Sequence, residues 1–219
     1  MSLSENTANL ESILETVNNL PAAGGGADNT VIDALIERTL SGAYSNDRVT
    51  TIGNYAFYRT NITSLDCPNV TSMKEGACYY CKNLETINFP KMKNMGVSAF
   101  LNCTNLRNAV FPELEGGVIN AFGGDNELVS ADLSKASGLY SGAFLDCPKL
   151  VTVILRKVDG ICTLSSTDIF KNTPIKSGTG YVYVPAALVD SYKAATNWTV
   201  HADQIRAIED YPGICGGAA

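Results

Sequence analysis

A repeat solenoid of about six coils is predicted for this 219-residue chain, each coil of 21–22 residues holding short strands joined by turns or short helices. Three observations predict it. The pair Ala-Phe occurs at Ala56-Phe57, Ala99-Phe100, Ala121-Phe122 and Ala143-Phe144, with Ala77-Cys78 filling the gap, in steps of 21 residues once and 22 thereafter. Five to seven residues downstream, Ile62, Leu84, Leu106, Leu128 and Leu150 recur every 22 residues without a slip. A third apolar position repeats at Val49, Val70, Met92, Leu114, Ala136 and Val158. One such unit cannot hide its own apolar residues, so the coils must stack and share an interior.

Within a unit the run is Leu-x-x-Ile-x-Phe-Pro, as at Leu84-Glu85-Thr86-Ile87-Asn88-Phe89-Pro90. Two apolar residues separated by one polar residue describe a short strand with both apolar side chains inward. The unit resembles the BspA-type leucine-rich repeat: Val70-Thr71-Ser72-Met73, Ala77-Cys78, Cys81, Leu84, Ile87, Phe89 and Pro90 follow its pattern position by position. The resemblance covers about Val49 to Pro185. It loosens at Gly116-Gly117 and Gly123-Gly124, and Ser165 to Asp168 is read as lengthening the sixth unit.

The expected organisation is an N-terminal helix with a Gly-rich tether (1–26), a cap (27–48), the solenoid (49–184), and a C-terminal helical cap and tail (185–219). Leu3, Leu10 and Val17 fall seven apart, with Ile13 and Leu20 three beyond the last two, the seam of a short associating helix. A lone helix of this length is marginal in water and must pack, either on its own solenoid or on other copies. Ile32, Leu35 and Ile36 suit a helical cap. At the other end, Tyr181 to Val184 reads as a final strand, Pro185 opens a helix with Leu188, Val189 and Tyr192, and Ala202 to Ile208 reads as a second short helix with Ile205 and Ile208 on one side.

The chain carries a net charge of −6 and a single histidine, His201. An acidic surface disfavours nucleic acid. No apolar run reaches the roughly 20 residues of a membrane helix, and no secretion signal is read at the start. Seven cysteines include Cys78-Tyr79-Tyr80-Cys81, whose spacing is metal-like. The repeat accounts for most of them: Cys81, Cys103 and Cys147 each precede the repeat's Leu by three, Asp125 fills that place in the fourth unit, and Cys78 stands in a Phe site. Buried reduced thiols are therefore expected, with no metal and no cofactor, and Cys215 as the exposed exception. His201 is read as a surface residue, and no catalytic set is found.

The candidate binding face follows from the strand pattern. Asp66, Asn88, Val110, Asp132 and Ile154 lie between the inward positions, and Ser64, Thr86, Asn108, Ser130 and Thr152 lie two residues earlier. These form two outward ladders suited to protein or glycan on a cell surface. The family resemblance implies a non-catalytic binding or structural module. Ser4 to Leu10 and Val17-Asn18-Asn19-Leu20-Pro21 resemble leaders of tail proteins in phages of gut Firmicutes, which implies a phage or prophage tail-associated protein, located in the virion or released by lysis. The alternative is a bacterial cell-surface adhesin.

Overall fold

The computed structural model describes residues 40–215. The expected N-terminal helix (Leu3, Leu10, Ile13, Val17, Leu20), its tether and the cap helix with Ile32, Leu35 and Ile36 lie outside the described residues. From Leu40 onward the chain is a stack of coils built from parallel strands. One strand of each coil joins a main sheet: β1 (Ser41–Ser45), β3 (Asn61–Asp66), β5 (Thr86–Asn88), β7 (Asn108–Val110), β9 (Ser130–Asp132), β11 (Thr152–Ile154), β13 (Tyr181–Val184) and β14 (Ile205–Ala207). A second, narrower sheet takes β2 (Thr51–Ile52), β4 (Ser72–Met73), β6 (Asn94–Met95), β8 (Val118–Ile119), β10 (Gly138–Tyr140) and β12 (Thr163–Leu164).

The pairing register is the sequence period: Leu65 pairs with Ile87, Ala109 with Ala131 and Ala131 with Val153, each 22 residues on. The main sheet is interrupted between β5 and β7, and the second between β6 and β8, where Gly116-Gly117 enters. A third set of bonds ties the turns. The N–H of Phe57, Cys78, Phe100 and Phe122 donates to the carbonyl of Ala77, Ala99, Ala121 and Ala143 in the next coil, at 2.7–3.0 Å. Neighbouring coils are thus held together by backbone bonds at up to three corners.

Between the corners runs the core. Phe100, Phe122, Phe144 and Phe170 are fully buried and stacked in one file, with centroids 5.7, 5.5 and 5.9 Å apart and planes within 8° of parallel. Cys78 takes the place between Phe57 and Phe100. The single file required by a shared interior is present, and the coil-sharing architecture stands.

One of the repeat positions is corrected. Val158 is 76% exposed. Leu133 and Leu155 keep the 22-residue step, but Leu139 pairs with Leu164, 25 on, and Phe144 stacks on Phe170, 26 on. Three of the four extra residues therefore enter between Arg156 and Ile161, looping Lys157 to Gly160 outward, and one enters in Ser165 to Asp168. Ile161, half-buried against the core, takes the place assigned to Val158.

The C-terminal lid is also partly corrected. Pro185 does lead into a 3-10 turn (Ala186–Leu188) and a helix (Val189–Ala194) that buries Tyr192. The second expected helix is instead a 3-10 turn (Thr199–Gln204) followed by β14, which pairs with β13. In a strand, side chains alternate, so Ile205 enters the main core while Ile208, beyond the strand end, joins a small cluster on the outer side with Ile154 and Tyr183. The lid closes the last open edge by hydrogen bonding. The Cys162 N–H donates to the Tyr192 hydroxyl (2.8 Å), Trp198 Nε1 donates to the Cys162 carbonyl (2.8 Å), and Asn197 Nδ2 donates to the Leu164 carbonyl (2.7 Å).

Close coil contact makes one glycine indispensable. A Cβ on Gly96 would sit 2.3 Å from the Lys74 carbonyl carbon and 2.5 Å from the Glu75 nitrogen, both backbone atoms that cannot swing away. Gly53, one residue past β2 as Gly96 is one past β6, has nothing within 4 Å. Gly96→Ala is expected to cost about 1–3 kcal/mol in urea unfolding, and Gly53→Ala much less. Equal stability of the two variants would contradict the close approach.

Candidate functional site

The two outward ladders lie on the main sheet, side by side along successive strands. Asn88 Nδ2 donates to Asp66 Oδ1, and Ser130 Oγ donates to Asn108 Oδ1, both at 2.8 Å. Parallel strands about 4.8 Å apart bring residues 22 apart into this contact. Thr86, Asn88, Asn108 and Val110 are exposed, and Ser64, Asp66 and Ser130 are half-exposed. Val110 is 54% exposed, an apolar patch between Asn88 and Asp132 on the same ladder.

The far end of this face is covered. Ile154 is 5% exposed, which corrects its assignment to the open ladder. It packs with Tyr183, Ile208 and Cys215, because β14 extends the sheet beside β13 and the segment that follows it, ending in Pro212–Cys215, lies over the strands there. Asp132 accepts from Arg156 Nε and Nη2 at 3.1 and 2.9 Å, and Arg156 also donates to the Cys215 carbonyl. Thr152 is half-buried at the rim. The accessible part of the face runs from Ser64 to Ser130.

Cys215 is buried rather than exposed, enclosed by the same cluster. The other six cysteines are buried and free. Cys81, Cys103 and Cys147 stand in one column with Thr60, Asp125 and Thr173, three residues after the Phe position of each coil. Their thiols donate to the carbonyl of Phe57, Cys78 and Phe122 in the preceding coil at 2.7, 3.1 and 2.9 Å. Burial pushes the Cys67 thiol up to about 11 and Cys162 to about 12, so these are packing thiols rather than nucleophiles. Asp125 is fully buried, and neither carboxyl oxygen finds a hydrogen-bond partner among the described residues. Burial raises its carboxyl well above the ordinary range.

His201 is 1% exposed, correcting its surface assignment. It stands edge-on to Phe170, with centroids 5.3 Å apart and planes at 88°, and extends the aromatic file into the lid. Burial, then the nearby Lys176 charge, lowers its basicity, and neither ring nitrogen has a partner among the described residues. Among the described residues no group of His, Cys, Asp or Glu could hold a metal ion, and no helix is long and apolar enough to cross a membrane.

One concavity went unread in the sequence. A shallow groove of about 440 Å³ is lined by Tyr58, Arg59, Asn61, Tyr79, Tyr80 and Lys82, in the turns of the first two coils. The available signal was the 21-residue step from Tyr58 to Tyr79, which turn punctuation obscured.

No curated protein matches this chain. Among solved structures, a leucine-rich repeat protein from Bacteroides ovatus is similar over 54% of this chain, at 20% identity and a TM-score of 0.38. That match takes in 32% of the Bacteroides ovatus protein, so the chain spans about a third of its length. The BspA type leucine rich repeat region matches residues 50–176 in six copies. With more than half of the sequence covered in one register, and the coils stacked as that register requires, the chain belongs to the BspA-type leucine-rich repeat family.

Proposed function

We propose that this chain is a non-catalytic recognition module that presents the strand face from Ser64 to Ser130 to a protein or glycan on a cell surface. The observation that carries the reading is the row of outward polar side chains, held in step by backbone pairing and bonded to one another across coils. Such a surface is pre-organised, so a ligand need not order it on binding. No nucleic-acid partner and no membrane insertion are part of this reading.

The finer proposal is that the module belongs to a phage or prophage tail, with the N-terminal leader joining copies to each other or to the particle. Its support is the likeness of Ser4 to Leu10 and Val17 to Pro21 to phage tail leaders. A bacterial surface adhesin is the second reading, favoured by the family itself. Purified particles containing the protein support the tail; protein confined to cell-wall fractions supports the adhesin.

The face is tested by Asn108→Arg combined with Val110→Arg. Both side chains point outward from β7, so the melting temperature is expected to stay within about 2 °C, because surface substitutions change stability little. Binding to target cells is expected to fall at least about tenfold, since a buried unpaired charge opposes docking. Unchanged binding removes this face from the proposal.

A further inference from the structure

We propose that the groove across the first two coils binds a carboxylated saccharide, with sugar rings lying on Tyr58, Tyr79 and Tyr80 and the carboxylate directed to Lys82. This deepens the recognition reading above and rests on it, but it uses a different surface.

The groove has an aromatic wall. Tyr58 and Tyr79 lie with centroids 5.5 Å apart at 35°, Tyr79 and Tyr80 4.6 Å apart at 53°, and Tyr55 adds an edge contact to Tyr58 at 6.0 Å. All four rings are partly solvent-exposed and none belongs to the core. Tyrosine offers a flat apolar face and a polar tip, which suits a ligand with C–H faces and hydroxyl edges. The volume falls within the roughly 300–1,000 Å³ of small-ligand sites.

The repeat does not require these residues. The places of Tyr58 and Tyr79 are taken in later coils by Leu101, Gly123, Leu145 and Lys171. Those of Arg59 and Tyr80 are taken by Asn102, Gly124, Asp146 and Asn172. The backbone at this second place is left-handed in every coil: Arg59 at φ 56°, Tyr80 at 62°, Asn102 at 61°, Gly124 at 73°, Asp146 at 59° and Asn172 at 59°. Gly, Asn and Asp tolerate that conformation; Arg and Tyr do so reluctantly. Tyr55 is left-handed too, at φ 52°, where the next coils place Gly76, Ser98, Asn120 and Gly142. Among the described residues, bulky side chains are thus accepted against backbone preference only beside the groove, and strain of this kind gathers at functional sites.

Gly76 keeps the wall in place. A Cβ there would lie 2.2 Å from Tyr55 Cε1, so the ring occupies space that any other residue would fill, while its hydroxyl donates to Glu75 Oε1 at 2.8 Å.

Charge selects the ligand class. In a chain of net charge −6, the charged side chains lining this groove among the described residues are Arg59 and Lys82, both positive. Each is held against a ring, Arg59 at 6.0 Å from the Tyr58 centroid and Lys82 at 5.6 Å from that of Tyr80. A saccharide bearing a carboxylate suits the rings and the exposed Lys82 ammonium together.

The test titrates the full chain with trigalacturonate and sialyllactose, each against its neutral counterpart, galactotriose and lactose. At least one acidic sugar is expected to bind about tenfold or more tighter than its counterpart. Tyr79→Leu and Tyr80→Asn install residues that other coils carry at the same places, so folding is preserved, and each is expected to weaken the acidic sugar about tenfold. Lys82→Gln is expected to erase the acidic preference. The Asn108→Arg, Val110→Arg protein is expected to bind the sugar normally. Failure of both acidic sugars, equal affinity in Tyr79→Leu, or equal competition by inorganic sulfate overturns the groove assignment. Cell binding that persists alongside such a failure leaves the strand-face reading standing; sugar binding without cell binding has the opposite meaning.

Discussion

Phe122→Ala is expected to be the most damaging single substitution in the solenoid. The ring is fully buried between Phe100 and Phe144, stacked on both within 8° of parallel, and it also touches Phe111 at 6.2 Å. Removing a buried Phe leaves a cavity and costs about 3–5 kcal/mol. At roughly 2–4 °C per kcal/mol for a chain of this size, the melting temperature should fall by about 6–20 °C. The position is also central. Coils contact only their neighbours, so weakening the middle weakens the coupling between the two halves. Urea unfolding followed by aromatic and backbone signals is expected to lose its coincidence in the variant. A loss below about 1 kcal/mol would mean that the rings do not share one interior.

Asp125→Asn is expected to stabilise the protein, by about 1–3 kcal/mol at neutral pH. In Asp125 the thiol of its column is replaced by a carboxyl with no hydrogen-bond partner among the described residues. The cysteines of that column donate to the Phe-position carbonyl one coil back, which for residue 125 is Phe100, and an amide can do the same. The pH dependence carries a definite sign. Burial raises the folded carboxyl well above its unfolded value of 3.8, against a weaker opposing effect of the Cys103 N–H. Below that unfolded value both states are protonated and nothing is lost. As pH rises toward the raised folded value, the unfolded chain releases its proton first, and stability falls. The gain from Asn is therefore expected to be small near pH 4 and to grow toward pH 7. His201 acts in the other direction: its lowered basicity means stability is lost as pH falls below 6.5. Since His201 is present in both proteins, the difference between them at each pH isolates Asp125. A difference that does not vary with pH would show that the carboxyl is solvated.

The solenoid was legible because its packing is periodic: an interior shared by equal coils prints the same apolar residues every 22 positions, and a strand with one buried face prints alternation. The same logic placed Ser64, Asp66, Asn88 and Asn108 outward, as they are. It failed where the period is interrupted. Val158 satisfies the count but not the space, because three inserted residues between Arg156 and Ile161 shift the true position to Ile161. It failed again where distant segments meet. Ile154, Cys215 and His201 look ordinary locally; the first two are buried because β14 runs beside β13 and brings the tail over the sheet, and His201 because the turn before β14 seats it on Phe170. The tyrosine groove was hidden for a third reason. Turn residues are read as punctuation, and only their left-handed backbone marks Tyr55, Arg59 and Tyr80 as unusual occupants.

The way the coils are tied has a mechanical consequence. Strands lie across the long axis, and the bonds between them point along it. A load applied to the two chain ends therefore reaches one rung at a time and opens the stack like a zip, instead of shearing all rungs together. Resistance should be modest at any instant but repeated over six similar steps, so the rod yields gradually and dissipates work as it lengthens. At the C-terminal end, Tyr192, Asn197 and Trp198 grip the last coil through its backbone, and that grip must give way before the first rung there can open.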